Sequence, residues 1–354
     1  MNAPLVVGIM HPPTWDARPP ERVAADIDAL RALDPRIEIV DCRYVEDFAL
    51  RTERGRPGSA DDAELRSRAP ELTPDQTAAL ARVEVALVAD LPFDVADLAP
   101  RLRWVQSVAA GNGQLLSSGL PTARVTATTA AGVNGVPIAE FAFARLLAHY
   151  KGHRELAERQ REHTWKAVFG TLASGRTLGL VGVGGIGSEI AKRAQAFGMT
   201  VYATRRRTDT PAPHVDRLFA PGDLHTMLGL CDAVISAAPE TADTIDTMDA
   251  AAFAAMKPGA FYCNVGRGSF VVEKDLIEAL ESGHLAAAAI DVARAEPLPA
   301  DDPLWDAPNL AISAHCSSDG RDHFTGVYRL FRENLARYLA GEPLRNTVDP
   351  DAGY

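Results

Sequence analysis

Apolar residues along this chain fall into short runs, separated by stretches in which they recur every three or four positions. A run of roughly four to eight suits a strand buried on both faces, and the 3.6-residue spacing suits a helix packed against it. Leu5–Ile9 reads as a strand, Glu21–Leu33 as an amphipathic helix and Ile37–Asp41 as a second strand. Val83–Ala89 and Trp104–Val108 continue as strands, with a helix beginning at Asp94 between them. Residues 51–75 break the rhythm. They are charged and punctuated by Pro57, Gly58, Pro70 and Pro74, which reads as a long surface excursion.

A helix is expected after Asn134-Gly135-Val136-Pro137, since Asn134 or Gly135 can cap it and Pro137 suits a first turn that needs no N–H. From Thr177 the alternation becomes regular. Strands are predicted at Leu178–Val181, Val201–Thr204, Ala233–Ala237, Ala260–Val265, Ala287–Val292 and Leu310–Ser313, with helices between them. That is one doubly wound α/β unit of six strands. A long helix is expected beyond Asp319, towards Leu339.

At 354 residues the chain has room for two domains, and 47% hydrophobic with 23% charged residues is ordinary globular composition. A net charge of −11 disfavours nucleic acid and anionic membrane as partners. Cys42, Cys231, Cys263 and Cys316 are scattered without CxxC spacing, so no metal site is expected and a reducing compartment is. The start, MNAPLVVGIM, lacks a basic segment before its apolar residues, and no apolar run is long enough to span a bilayer. A cytoplasmic protein is the expectation.

Gly182, Gly184 and Gly187 form a GxGxxG that follows an apolar strand and opens a helix ending near Gly198. In that context the first glycine makes a tight turn, the second lets backbone approach a pyrophosphate, and the third lets helix and strand pack closely. The next strand should end in an acid that accepts from the adenosine ribose. This chain has Thr204-Arg205-Arg206-Arg207 there instead, three guanidiniums where a 2′-phosphate would sit. NADP(H) is therefore the expected cofactor, with NAD(H) also admitted.

Three further segments lie where parallel strands should end: Asn264-Val-Gly-Arg267-Gly, Asp291-Val-Ala-Arg-Ala-Glu296-Pro, and Ile312-Ser-Ala-His315. Strand carboxyl ends line the ligand crevice of open α/β sheets. Reduction of a 2-oxo acid needs a cation for the carboxylate, a proton donor for the carbonyl oxygen and a group that holds the donor protonated. Arg267 offers a planar fork, His315 titrates in the right range, and Glu296 would orient and charge the imidazole.

With these residues in order, the chain resembles the D-isomer-specific 2-hydroxyacid dehydrogenase family, which includes glyoxylate/hydroxypyruvate reductases. Ala139-Glu140, Ala237-Ala-Pro-Glu-Thr241, Ala289-Ile-Asp-Val, Glu296-Pro-Leu-Pro, Ala314-His315 and Asn346-Thr-Val-Asp carry the likeness from about residue 83 onward. The resemblance implies Arg267, Glu296 and His315 as catalytic residues. It implies that the Ala109-Ala110-Gly111 turn presents N–H groups to the substrate carboxylate, together with Arg267. It implies cofactor contacts from Gly185 and Ile186 within the glycine loop, and from Thr204, Arg205 and Arg206 at the next strand end. Further contacts are implied from Ala238, Pro239 and Thr244, and from Val265, Gly266, Arg267, Asp291 and His315 deeper in the crevice. The implied fold is two Rossmann-like doubly wound domains, the cofactor domain (104–318) inserted into a flavodoxin-like substrate domain (1–103 and 319–354). A homodimer packed through the Ala139-Glu140 helix and the segment after it is implied too. The chain departs from the family pattern at Ala314, usually proline, and at Asn112, where an acid is frequent.

Two other functions remain open on the residues: a dinucleotide-sensing corepressor-like binding protein, and a phosphonate-type dehydrogenase. Outside the motifs, His11 stands just past the first strand, where it could edge a cleft. His149, His153, His163, His214, His225, His284 and His323 read as surface or packing residues. Trp165 and Trp305 read as packing aromatics, with Trp165 alternatively reaching a partner's site. Asp301-Asp302 reads as solvated.

Overall fold

A computed structural model describes residues 3–55, 59, 62–111, 113–318 and 320–349. It divides into two compact units: residues 1–133 with 320–354, and residues 134–319.

In the first unit, β1 (Leu5–Met10), β2 (Ile37–Asp41), β3 (Val85–Val88), β4 (Trp104–Ser107) and β5 (Thr126–Thr128) form a parallel sheet in the order β2-β1-β3-β4-β5. This is the flavodoxin-like order. β4 pairs with β3 and β5, so the unit boundary falls at 133/134 and not at 103/104. An apolar strand such as Trp104–Ser107 reads the same from sequence whichever sheet it joins.

The terminal helix, His323–Ala340, belongs to this unit because its apolar face completes the unit's core. Phe324, Val327, Tyr328, Phe331 and Leu335 recur at helical spacing and are buried, with the Phe331 ring tilted against Trp104, centroids 5.1 Å apart. Asn334 adds polar ties, donating to Gln106 Oε1 at 3.0 Å and accepting from the Arg345 N–H at 2.8 Å.

Among the described residues, the expected excursion over 51–75 carries parts of three short helices: Phe48–Arg54, Ala63–Arg68 and Pro74–Leu80. Asp47, Asp62 and Thr73 cap these helices, Thr73 through a capping box with Gln76. Leu50, Leu65 and Phe93 make a small core of their own. Beside it the fully buried Arg54 pairs with the fully buried Glu46, and Arg51 grips Asp90 with bonds of 2.6 and 2.7 Å. Two of the charges that made this stretch look solvated, Arg51 and Arg54, are spent inside the unit, while Asp62, Glu64, Arg68, Glu71 and Asp75 are exposed as expected. Pro57 and Gly58 lie outside the described residues.

The second unit holds β6 (Thr177–Val181), β7 (Thr200–Thr204), β8 (Arg217–Phe219), β9 (Ala233–Ser236), β10 (Ala260–Asn264), β11 (Leu285–Ile290) and β12 (Leu310–Ile312). They form one parallel sheet in the order β12-β11-β10-β9-β6-β7-β8, with the reversal between β6 and β9. The sheet has seven strands where six were expected. The addition, β8, is a three-residue edge strand with one buried side chain, too short to leave a periodic signal. The helix Gly135–Tyr150 buries Ala139, Ala142, Phe143, Leu146 and Tyr150 at helical spacing. It lies close to the helix Gly185–Ala196, since a Cβ on Gly135 would sit 3.0 Å from the Gly185 carbonyl oxygen. Among the described residues no helix is long and apolar enough to cross a membrane.

Candidate active site

The glycine loop joins β6 to the helix Gly185–Ala196 at the point where strand order reverses. Gly182 has φ +93°, and a Cβ there would meet Ala238 N and Cα at 2.9 Å. A Cβ on Gly187 would lie 2.3 Å from the Gly182 carbonyl oxygen, so only glycine lets the helix start this close to the strand. At Gly184 an added Cβ meets nothing within 4 Å. Internal packing therefore does not explain that glycine, whereas a ligand pressed onto the backbone does. The open space lies at a helix N-terminus rich in N–H donors, which fits a dinucleotide pyrophosphate.

The opposite wall comes from the loop after β9. Ala238 backs Gly182, and it also backs Gly266, whose Cβ would meet the Ala238 carbonyl oxygen at 2.9 Å. The Thr244 hydroxyl, expected to face the cofactor, ties this loop together instead: it donates to the Pro239 carbonyl at 2.8 Å and accepts from Thr241 N at 2.7 Å. Val265 is buried, and its N–H donates to Ser236 O at 3.0 Å, holding the β10 exit against β9.

At the end of β7, Thr204 is buried in the sheet. Arg205 turns back on its own loop, donating from Nε to the Arg207 carbonyl and from Nη2 to the Thr210 carbonyl. Part of its fork is thus committed to shaping the loop, while Arg206 and Arg207 are exposed.

The three acid–base and anchoring candidates come together in the second unit. His315 Nδ1 lies 2.8 Å from Glu296 Oε2, with the imidazole side chain 49% exposed and the carboxylate 19%. Burial raises the Glu296 carboxyl. The His315 hydrogen bond and charge, the Ala293 N–H and the Arg267 charge outweigh burial and hold Glu296 below the usual carboxylate range. Arg267 is close enough to contribute to that balance. Its loop is pinned by Asn264, which donates to Arg267 O at 2.9 Å and accepts from Gly266 N at 3.0 Å.

His315 adopts a left-handed backbone, φ +48°, which its surroundings must enforce. Asp291 does so. It is almost fully buried; one carboxylate oxygen accepts from Ser313 Oγ at 2.7 Å and Cys316 N at 3.0 Å, the other from Ser317 N at 3.0 Å. Its carbonyl accepts from His315 N at 2.8 Å. Asp291 therefore works as the organiser of the His315 turn, a role the motif alone did not distinguish from cofactor contact.

In the first unit, the turn after β4 carries Ala109, Ala110 and Gly111. The Ala109 N–H is already taken by Ser107 Oγ at 3.0 Å, which corrects its expected role as a donor to substrate. Among the described residues the N–H groups of Ala110 and Gly111 have no acceptor. Asn112 lies outside the described residues. His11 is buried, with Nε2 2.9 Å from the Tyr328 hydroxyl and its pKa lowered by burial. Trp165 and Trp305 are exposed, against the packing role expected of them.

Comparison with known proteins bears on this arrangement directly. The chain is 31% identical over 313 residues to a glyoxylate reductase from Korarchaeum cryptofilum, covering 84% of this chain and 93% of the relative. Residues 143–317 match the profile of the D-isomer specific 2-hydroxyacid dehydrogenase, NAD binding domain. The chain belongs to the D-isomer specific 2-hydroxyacid dehydrogenase family. It is thus a nicotinamide-dependent 2-hydroxyacid dehydrogenase with a Rossmann cofactor domain. Glyoxylate/hydroxypyruvate reductase B from Citrobacter koseri is 34% identical to this dehydrogenase over 71% of its length and 79% of the relative's. A D-isomer specific 2-hydroxyacid dehydrogenase from Xanthobacter autotrophicus Py2, solved in complex with NADPH and MES, matches with a TM-score of 0.77, 27% identity and full coverage of both chains.

Proposed function

We propose that this dehydrogenase reduces small 2-oxo acids of the glyoxylate/hydroxypyruvate type, with NADP(H) preferred over NAD(H), as a cytoplasmic homodimer. The 2.8 Å bond between His315 Nδ1 and Glu296 Oε2 carries the reading. With Nδ1–H donated to the carboxylate, Nε2 is the nitrogen left to deliver a proton to a carbonyl oxygen. Arg267 binds the substrate carboxylate and polarises the carbonyl. Bound nicotinamide supplies or takes up the hydride. In the reverse direction neutral His315 accepts the hydroxyl proton, and Glu296 stabilises the charge that results.

Preference for NADP(H) rests on Arg206, Arg207 and the uncommitted part of Arg205, which stand where an acid would repel a 2′-phosphate. The Xanthobacter relative's complex with NADPH supports the same reading. Four free cysteines suit a reducing compartment. Trp165, Phe169 and Leu172 stand exposed in one segment beyond the helix Gly135–Tyr150, and a partner protomer would cover them.

The test is spectrophotometric. Glyoxylate, hydroxypyruvate, pyruvate and bulkier 2-oxo acids are offered with NADPH and with NADH at moderate salt. Fast turnover of the two smallest acids, favouring NADPH by roughly ten- to thousandfold in kcat/KM, is expected; each decade is about 1.4 kcal/mol. Tight cofactor binding with negligible turnover of every acid would indicate a nucleotide sensor instead. Light scattering of the purified protein reads the oligomeric state, and a monomer would remove the dimer from the proposal.

A further inference from the structure

Loops leaving the neighbouring strands β9, β10 and β11 carry the cofactor wall, Arg267 and Glu296 in turn. One side chain reaches all three. Arg294 Nη2 donates to the Asp246 carboxylate in the first loop, and to the Ser269 and Val271 carbonyls in the second, at 3.1 and 2.8 Å. Its own backbone N–H donates to Glu273 Oε1 at 2.7 Å.

The surrounding contacts make this a junction rather than a lone surface pair. Asp246 is held left-handed, φ +56°, with its N–H on Ser269 O at 2.9 Å. Ser269 Oγ in turn donates to Glu240. The loops bearing Arg267 and Glu296 run in direct contact, since a Cβ on Gly268 would lie 2.0 Å from the Ala293 carbonyl carbon. Ala293 then donates from N to Glu296 Oε1 at 3.0 Å. Ser269 stands two residues past Arg267, and Arg294 two residues before Glu296.

We propose that Arg294 is a positioning residue that sets the Arg267 loop against the Glu296–His315 pair, and so aligns substrate anchor with proton donor. The Arg294 and Asp246 side chains are 42% and 53% exposed, so their charge attraction alone contributes little. The two carbonyl bonds and the geometry they impose matter more, because a misplacement of about 1 Å between reacting groups costs on the order of a hundredfold in rate. All three acceptors are met by the one Nη2; a lysine ammonium keeps the charge but has a shorter stem and lacks the guanidinium plane that aims that nitrogen at them.

The kinetic arm of the test rests on the reductase reading; the exchange arm does not. Arg294→Gln and Arg294→Lys are made in the full chain, and Tm, NADPH affinity, steady-state reduction of glyoxylate and amide hydrogen exchange are measured. For Arg294→Gln we expect roughly tenfold to hundredfold lower kcat, several-fold higher KM for glyoxylate, and NADPH affinity within about threefold of wild type. Exchange at Asp246, Val271 and Ala293 should quicken at least about tenfold, with Arg294→Lys intermediate. Unchanged exchange at these amides overturns the inference whatever the turnover. So does faster exchange with wild-type kcat and KM, which would make Arg294 a clamp without catalytic consequence. A kcat that falls only in step with the folded fraction, at constant KM, also overturns it. Absence of wild-type turnover on every 2-oxo acid would sink the reductase reading, while exchange still decides whether Arg294 joins the loops.

Discussion

Replacing Glu296 with glutamine probes the central pair with little change of shape. Glutamine keeps an amide oxygen for the Ala293 N–H, now on Glu296 Oε1 at 3.0 Å, so the local fold should survive. What disappears is the negative charge beside the proton donor. Two unit charges about 4 Å apart interact by about 1 kcal/mol in water and about 4 kcal/mol at an effective dielectric near 20. With the imidazole half exposed, the pair sits towards the watery end, about 1–2 kcal/mol. At about 1.4 kcal/mol per pH unit, that corresponds to roughly one unit. The sign follows from the chemistry. Reduction needs a proton on the donor; the His315 hydrogen bond and charge help hold the Glu296 carboxyl below its usual range, and the same attraction supports that proton, so removing the carboxylate withdraws the support. The alkaline limb of kcat for glyoxylate reduction should therefore move about one unit towards acid. Oxidation of the 2-hydroxy acid, which needs the neutral base, should set in at lower pH than in wild type. Initial rates from pH ~5.5 to ~9.5 at saturating substrate and NADPH read both limbs. A reduction limb that stays in place, or moves to higher pH, would refute the pairing.

His315→Gln should lower reduction by roughly 10²–10⁴-fold while NADPH titration stays near wild type; near-normal turnover would remove His315 from the chemistry. Gly187→Ala drives a Cβ to 2.3 Å from the Gly182 carbonyl, so NADPH and NADH affinity should both collapse, and retention of either in a fluorescence titration would mean the glycine loop does not hold the dinucleotide. Joint replacement of Arg206 and Arg207 by aspartate should shift the NADPH-to-NADH ratio of kcat/KM by at least about tenfold, and Arg205→Asp should lower Tm as well, because Arg205 braces its own loop; an unmoved ratio in all of them would mark the arginine run as solvated surface. Glu46→Ala strands the buried Arg54, so urea unfolding should show a loss of about 3–5 kcal/mol, and a loss within error would contradict the burial of that pair.

Much of the second unit was legible in the chain itself. Its central strands β6, β9 and β10 are buried on both faces, and apolar runs such as Ala260–Cys263 announce that directly. The glycine fingerprint and the spacing of Arg267, Glu296 and His315 were equally plain, because backbone approach and proton transfer tolerate few residue types. Even part of the misread 51–75 stretch carried a local signal, the Thr73–Gln76 capping box, outweighed by its charge and prolines. What needed tertiary structure was every question of partner. Periodicity marks Trp104–Ser107 as a strand but cannot say which sheet it joins, since sheet pairing is decided by hydrogen bonds between residues distant in sequence. Composition makes Arg54 look solvated, and only packing sets it, fully buried, against the equally buried Glu46. The same holds at the site. Thr244 and the Ala109 N–H each had a ligand-facing reading until a nearby carbonyl or hydroxyl proved to hold them, and Arg205 spends part of its fork on its own loop. Asp291 and Arg294 gained structural roles because the fold set loops from separate strands within hydrogen-bond reach of one side chain.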